Sequence, residues 1–303
     1  MNWRGLIHPG GPLEPHDLWS VWNVDPWLLI PLAVTAIIYL WGTRKLWRRA
    51  GLGRGICTWR FVGFFGGILA LFVALISPLD ALSNVLFSAH MTQHMTLMLV
   101  AAPLLVTSSF PVALVAAFPR NQAQALGHGL NRSQTLSRIW NVLSRVVSAW
   151  LLFAMVLWIW HAPRFYEAAL QNETVHTLEH LLFLLTAMLY WWILFRQTGQ
   201  THFHYGRAVL YLFTTVLHSG ILGALMTFTS QPWYFYYVPF VKAWGLTPLQ
   251  DQQLAGLIMW MPGGAVFTLM TIRYFVLWLR ALEQRSQRFA HNKYVRTSQK
   301  PNP

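Results

Sequence analysis

Long apolar stretches divide the sequence, and they constrain the possible folds more than any other feature. A helix of about 20 residues is needed to cross the hydrocarbon core of a bilayer. We place spans of about this length at 26–44, 58–77, 88–109, 146–163, 174–196, 207–229 and 252–280. Charged residues make up only 10% of the chain, against roughly 25% in soluble domains. The sequence therefore predicts an all-α polytopic membrane protein with seven transmembrane helices.

The basic residues indicate an orientation in the membrane, because short cytoplasmic loops carry Lys and Arg in excess. All but three of the 22 Lys and Arg residues fall on one side of the predicted spans, and the exceptions are Arg4, Arg164 and Lys242. We therefore expect the N-terminus outside and the C-terminus in the cytoplasm. The predicted parts are an outer segment at 1–25, a transmembrane domain at 26–284 and a basic cytoplasmic tail at 285–303. Topology accounts for the net charge of +13, so we expect membrane lipids and no nucleic acid as partners.

Histidine pairs at helical spacing are the main functional signal. His90 and His94 are four residues apart, as are His176 and His180, and side chains at this spacing share one face of a helix. The orientation places both pairs, the end of the fourth span and the start of the seventh at one depth. Ionisable groups at membrane depth usually mark a functional path. We predict that this layer holds a metal site formed by His90, His94, His161, His176, His180 and Asp251.

The identity of the bound group is less constrained by these residues. Imidazole suits copper, zinc, iron or nickel, thioether sulfur favours Cu(I), and paired histidines can also ligate haem. The single cysteine, Cys57, excludes a CxxC site. Glu179, Gln93 and Asp251 are candidates for orienting the imidazoles. The candidate accessory ligands are Met91, Met95, His218, Gln252 and Met259.

Four motifs resemble those of the CtaG-type cytochrome c oxidase assembly factors of bacterial plasma membranes: SAHMTQHMTLMLVAAPLL, WIWHAPRFYEAAL, HTLEHLLFLL and TPLQDQQLAGLIMWMPGG. The resemblance extends over roughly residues 20–285. It implies a non-enzymatic, multi-pass protein of the bacterial plasma membrane, with haem–copper oxidase subunits and a copper chaperone as candidate partners. It also implies that copper is the ion, with haem or zinc less favoured. The functional positions that it implies are His90, His94, His161, His176, His180 and the segment 251–253.

The leading hypothesis is therefore an assembly factor that binds copper in the outer part of the bundle and delivers it to a haem–copper oxidase. Three alternatives stay open. The first is a copper transporter in which His218 and Met226 are steps toward the cytoplasm. The second is a membrane b-type cytochrome, and the third is a stable oxidase-associated subunit whose histidines only form buried hydrogen bonds.

Overall fold

A computed structural model describes residues 13–119, 121–122, 134–197 and 204–298. These residues form helices and connecting turns with no strand, which confirms the all-α prediction. Residues 1–12 of the predicted outer segment and 299–303 of the predicted tail lie outside this description. The helices are α1 (Pro26–Ala50), α2 (Thr58–Leu75), α3 (Pro78–Ser83), α4 (Phe87–Met95), α5 (Ala102–Thr107), α6 (Phe110–Ala117), α7 (Gln134–Leu143), α8 (Val146–Trp160), α9 (Pro163–Gln171), α10 (Glu173–Gln197), α11 (His204–Thr227) and α12 (Pro248–Ser298).

Six helical segments in the described part of the chain are long and apolar enough to cross a membrane. They are α1, α2, α4 continued into α5, α10, α11 and α12. A seventh is present only if α7 and α8, which are bent by 76° against each other, form one span. By itself α8 has 15 residues and reaches about 22 Å, whereas the hydrocarbon core is about 30 Å thick. The protein is therefore a multi-pass helical membrane protein with six candidate spans, or seven with the bent pair.

Two of the predicted spans have features that their apolar sequence does not show. Pro103 lies inside the third span, and a π-helical turn, Thr96–Ala101, precedes it and joins α4 to α5. Proline has no N–H for the preceding turn, which favours such a local widening. The last helix has 51 residues and continues to Ser298, past the boundary predicted at 285. The described part of the predicted tail is thus a continuation of α12.

Hydrogen bonds between distant segments show which helix ends lie together. The N–H of Asn23, just before α1, donates to the carbonyl of Ile76 after α2 at 2.9 Å. The N–H of Phe87 in α4 donates to the Asp251 carboxylate in α12 at 2.7 Å, and Tyr234, beyond α11, donates to the carbonyl of His161 at 2.7 Å. We call this side of the bundle the histidine end.

Helices α11 and α12 pack closely, and a glycine permits their approach. A Cβ on Gly256 would lie 2.5 Å from Oγ1 of Thr227 and 2.8 Å from the carbonyl oxygen of Gly223. We expect Gly256→Ala to lower the free energy of unfolding by roughly 1–3 kcal/mol, because the overpacked helices must separate. Thermal unfolding in detergent measures this. Gly264→Ala in the same helix is the control, since its nearest neighbouring atom is 4.0 Å away, and an equal loss in both variants would contradict the packing argument.

Candidate metal centre

Helix α4 carries the first histidine pair, and a residue distant in sequence fixes where it begins. The carboxylate of Asp251 accepts hydrogen bonds from the N–H groups of Phe87 and Ser88, at 2.7 and 3.1 Å, and from the Ser88 hydroxyl at 2.5 Å. These N–H groups have no partner within the helix, and an anion there is also favoured by the helix dipole. Asp251 thus caps α4 and holds its first turn against α12.

The N-terminal caps of α10 and α12 fix the positions of the other side chains of the site. The Asn172 side chain accepts from the N–H groups of Thr174 and Val175 at 2.9 and 3.2 Å, which starts α10. A reciprocal pair of side-chain bonds between Thr247 and Gln250 starts α12 and forms a capping box. Asp251 follows directly. Local capping chemistry therefore places the second histidine pair in the first two turns of α10.

The two histidine pairs meet in the interior of the histidine end. His90 and His94 are fully buried, and their Nε2 atoms lie 2.9 Å apart. The His180 ring lies 5.1 Å from that of His94, and the His176 ring lies 5.2 Å from that of His90. Donor atoms of His90, His94 and His180 all lie within 4.8 Å of one another. This arrangement can offer three nitrogen ligands to one small ion.

Glu179 adds a carboxylate to the same cluster. It is fully buried, and its oxygens lie 3.8 Å from Nε2 of His90 and of His94. Neither oxygen has a hydrogen-bond partner among the described residues. A second set of convergent donors is formed by His90, His176 and Glu179, again within 4.8 Å. A buried carboxylate beside imidazole nitrogens, without a hydrogen-bond donor, fits a site for a cation, since such a group is otherwise costly to bury.

His161 lies beside the cluster without joining either set of convergent donors. Its ring centroid is 6.5 Å from that of His94. Nδ1 is 2.6 Å from the Leu157 carbonyl, which can only accept, so Nδ1 carries the proton and Nε2 carries the lone pair. That Nε2 is buried with no hydrogen-bond partner in the described part of the chain. His161 can therefore supply a further nitrogen if its ring moves toward His94.

A layer of three tyrosines, Tyr166, Tyr234 and Tyr237, borders the cluster. The Tyr166 ring is 5.1 Å from that of His90, and its hydroxyl is 2.8 Å from the hydroxyl of Tyr237. Tyr237 donates to the Ser83 carbonyl at 3.2 Å and lies 3.5 Å from Nδ1 of His90. Burial raises the pKa of Tyr166 and Tyr237, so both hydroxyls stay protonated. The tyrosine layer occupies the Nδ1 side of His90, and Nε2 faces His94.

The predicted accessory ligands have other contacts in the structure. Met91 and Met259 are buried in the apolar core, and the Met95 methyl packs against α12 at Gly263. Gln252 accepts from the N–H of Trp233 at 2.6 Å and fixes the segment after α11. The His218 ring is 5.3 Å from that of Trp150 in α8. Among the histidine, cysteine and carboxylate side chains of the described chain, the convergent donors are therefore nitrogen and oxygen atoms.

The contacts of Asp251 predict that it stabilises the fold and is not a ligand. We expect Asp251→Asn to lower the free energy of unfolding by about 2–3 kcal/mol, because one acceptor becomes a donor that faces backbone N–H groups. The metal content of the folded variant after exposure to Cu(II) should equal that of the wild type. Thermal unfolding and elemental analysis measure the two effects. A normal midpoint with loss of bound metal would instead identify Asp251 as a ligand.

Asp80 in α3 gives the histidine end a pH dependence. Burial raises the pKa of Asp80 from 3.8 to about 6, although Gln93 and Asn23 each donate to its carboxylate at 2.9 Å, and the charge of Glu173 acts in the same direction as burial. The folded protein therefore holds this proton more tightly than the unfolded chain does, and stability falls as the pH rises from about 4 to about 7. We expect Asp80→Asn to reduce this fall by up to about 3 kcal/mol. Thermal midpoints at pH 4 and 7.5 measure the difference, and identical pH slopes in both proteins would refute it.

The fold and the site together define a multi-pass helical membrane protein with a buried cluster of histidines and a carboxylate. The chain belongs to the cytochrome c oxidase caa3 assembly factor family, whose model matches residues 37–281. An uncharacterized protein of Mycobacterium bovis is 25% identical over 284 residues, and one of Mycobacterium leprae is 25% identical over 291 residues. Each alignment covers 91% of this chain and 42% of the relative, so the chain spans less than half the length of these relatives. No solved structure matches the chain.

Proposed function

We propose that this protein assists the assembly of a haem–copper oxidase by holding a copper ion in the histidine cluster and passing it to an oxidase subunit. The observation that carries the proposal is the convergence of three imidazoles and a buried carboxylate, Glu179, from two facing helices. Nitrogen and oxygen donors suit Cu(II), which also binds such sites most tightly among the common divalent metals. The family supplies the link to oxidase assembly. The role is non-catalytic, and the bacterial plasma membrane is its proposed location.

The position of the cluster favours delivery over transport. One and two turns further along α10 from His180, the side chains are apolar and buried: Phe183 and Ala187. His218, the predicted next step of a transporter, lies against Trp150 on another helix pair. An ion would therefore enter and leave at the histidine end, which the basic residues predict to be the outer side.

The geometry also supports a small ion over a haem. Two axial imidazoles stand on opposite sides of a porphyrin, whereas His90 and His94 belong to one helix and their Nε2 atoms lie 2.9 Å apart. The neighbouring rings of His176 and His180 are 4.2 Å apart. This spacing leaves no room for a porphyrin between the histidines.

Oxidase assembly in cells tests the proposal. A bacterial strain that lacks this protein should contain oxidase deficient in copper, and the wild-type chain should restore it. A variant with His90 and His94 replaced should be present in the membrane without restoring the oxidase. Copper uptake into proteoliposomes is the second measurement. Uptake by the wild-type protein would favour the transporter, and full restoration by the variant would overturn copper delivery.

A further inference from the structure

A cavity of about 290 Å³ lies beside the histidine cluster, between the start of α1, the end of α2 and the first turns of α10. Its apolar walls include Trp27, Leu75 and Leu181. Its polar lining includes Asp25, Asp80, Asn84, Glu173, His176 and His180. The cavity therefore shares two histidines with the cluster.

The charge of the cavity suits a cation. Three carboxylates line it, and no lysine or arginine is among its lining residues in the described chain. Asp25 caps α1 by accepting from the N–H of Trp27 at 2.9 Å, and Asp80 is buried. Glu173, the first residue of α10, is exposed. A concave surface with charges of one sign raises the local concentration of counter-ions.

His180 provides an independent link between this cavity and the cluster. Its side chain is 8% exposed and lines the cavity, and its Nε2 has no hydrogen-bond partner among the described residues. The same side chain belongs to the donor set with His90 and His94. An ion in the cavity therefore meets a nitrogen that is also part of the buried site.

We propose that this cavity is the route by which a hydrated Cu(II) ion reaches and leaves the histidine cluster. Glu173 attracts the ion at the mouth, and His176 and His180 exchange its water for nitrogen ligands on the way to His90 and His94. The inference rests on the proposed copper site, and adds to it the path and the charge that controls the rate of exchange.

Blocking the cavity with a covalently attached bulky group tests the route. Thr177 is exposed and lines the cavity, so we use Thr177→Cys in the full chain with Cys57→Ser. Modification with a bulky maleimide before Cu(II) is added should slow copper uptake at least tenfold. The same modification after loading should leave the ion in place. The controls are the unmodified variant and wild-type protein modified at the exposed Cys57, which precedes α2 and lies away from the histidine end.

The outcomes separate the route from the site. Uptake at the full rate by the blocked variant, with normal copper in the wild type, would overturn the route and leave the copper site intact. A wild-type protein that binds no Cu(II) would overturn the proposed function, and the route with it.

Glu173→Gln should lower the uptake rate by about two- to fivefold at low salt and have no effect at high salt, because screening removes the attraction. A rate equal to wild type at low salt would exclude Glu173 as the attracting charge.

Discussion

Replacing His90 and His94 together by alanine is expected to reduce the copper bound per purified chain by at least tenfold. The two Nε2 atoms lie 2.9 Å apart in the interior, and both histidines belong to the first donor set. Their loss leaves His180 as the only imidazole of the first donor set. Alanine is the best helix former, so α4 should keep its backbone and its Asp251 cap. Elemental analysis of the purified protein after exposure to Cu(II) gives the copper content.

The control for this pair removes two histidines at exposed positions. His16→Ala with His291→Ala changes the histidine count equally and leaves the buried cluster intact. Because the alanine variant loses buried side-chain volume, His90→Gln with His94→Gln is a second test that retains bulk. Circular dichroism shows which variants are folded. Equal copper in the wild type, in the control and in a folded variant of His90 and His94 would rule out these ligands.

The convergence of the histidines could be predicted because two kinds of sequence information agree. Spacing of four residues places His90 with His94 and His176 with His180 on helix faces. The alternation of spans then places both pairs at one depth. Glu179 is three residues after His176 and adjacent to His180, so the same helical periodicity puts it on that face. The sequence therefore indicated that Glu179 shares the face of the two histidines. Its proximity to His90 depends on how α10 is rotated about its axis relative to α4.

The predicted depth of a residue in the membrane was not sufficient to predict which neighbours its side chain contacts. Asp251 lies at the predicted end of the bundle, but its oxygens are engaged by the first turn of α4. Met91 follows His90 directly, and one residue turns a helix by about 100°, which directs its sulfur into the apolar core. Rotation about a helix axis is set by caps and packing between distant segments. A pattern within one segment does not contain that information.

The lengths of the spans were predicted less well than their positions. An apolar stretch shows that a helix can enter a membrane, but its composition does not encode a bend. The 76° bend between α7 and α8 occurs where α7 ends and Arg145 adopts an extended conformation. At the last helix, polar residues ended the predicted span at 280, yet these residues are compatible with helix and continue α12 to Ser298. The end of an apolar stretch therefore does not have to coincide with the end of the helix that contains it.

Glu179→Gln is expected to raise the stability of the copper-free protein and to lower the stabilisation that copper adds. In the copper-free protein the thermal midpoint should rise, because a buried carboxylate with no hydrogen-bond donor is replaced by a neutral side chain of similar shape. In the presence of Cu(II) the variant should gain less stability than the wild type. Loss of one oxygen ligand that weakens binding tenfold removes about 1.4 kcal/mol of ligand-induced stabilisation. Thermal unfolding in detergent, with and without Cu(II), measures both effects.

The shift of the copper-free midpoint and the shift of the stabilisation by copper together distinguish a carboxylate that binds the ion from one that only packs against its neighbours. Had Glu179 only a packing role, the glutamine variant would shift the midpoint equally with and without the ion, since copper would be bound elsewhere. Had it only oriented an imidazole, copper binding would weaken without the rise in the copper-free protein, because the glutamine would leave a hydrogen bond unmade. Glu283→Gln, at an exposed carboxylate of α12, is the matched control and should change neither midpoint. Opposite shifts in Glu179→Gln alone would therefore place the carboxylate in the first coordination shell of the ion.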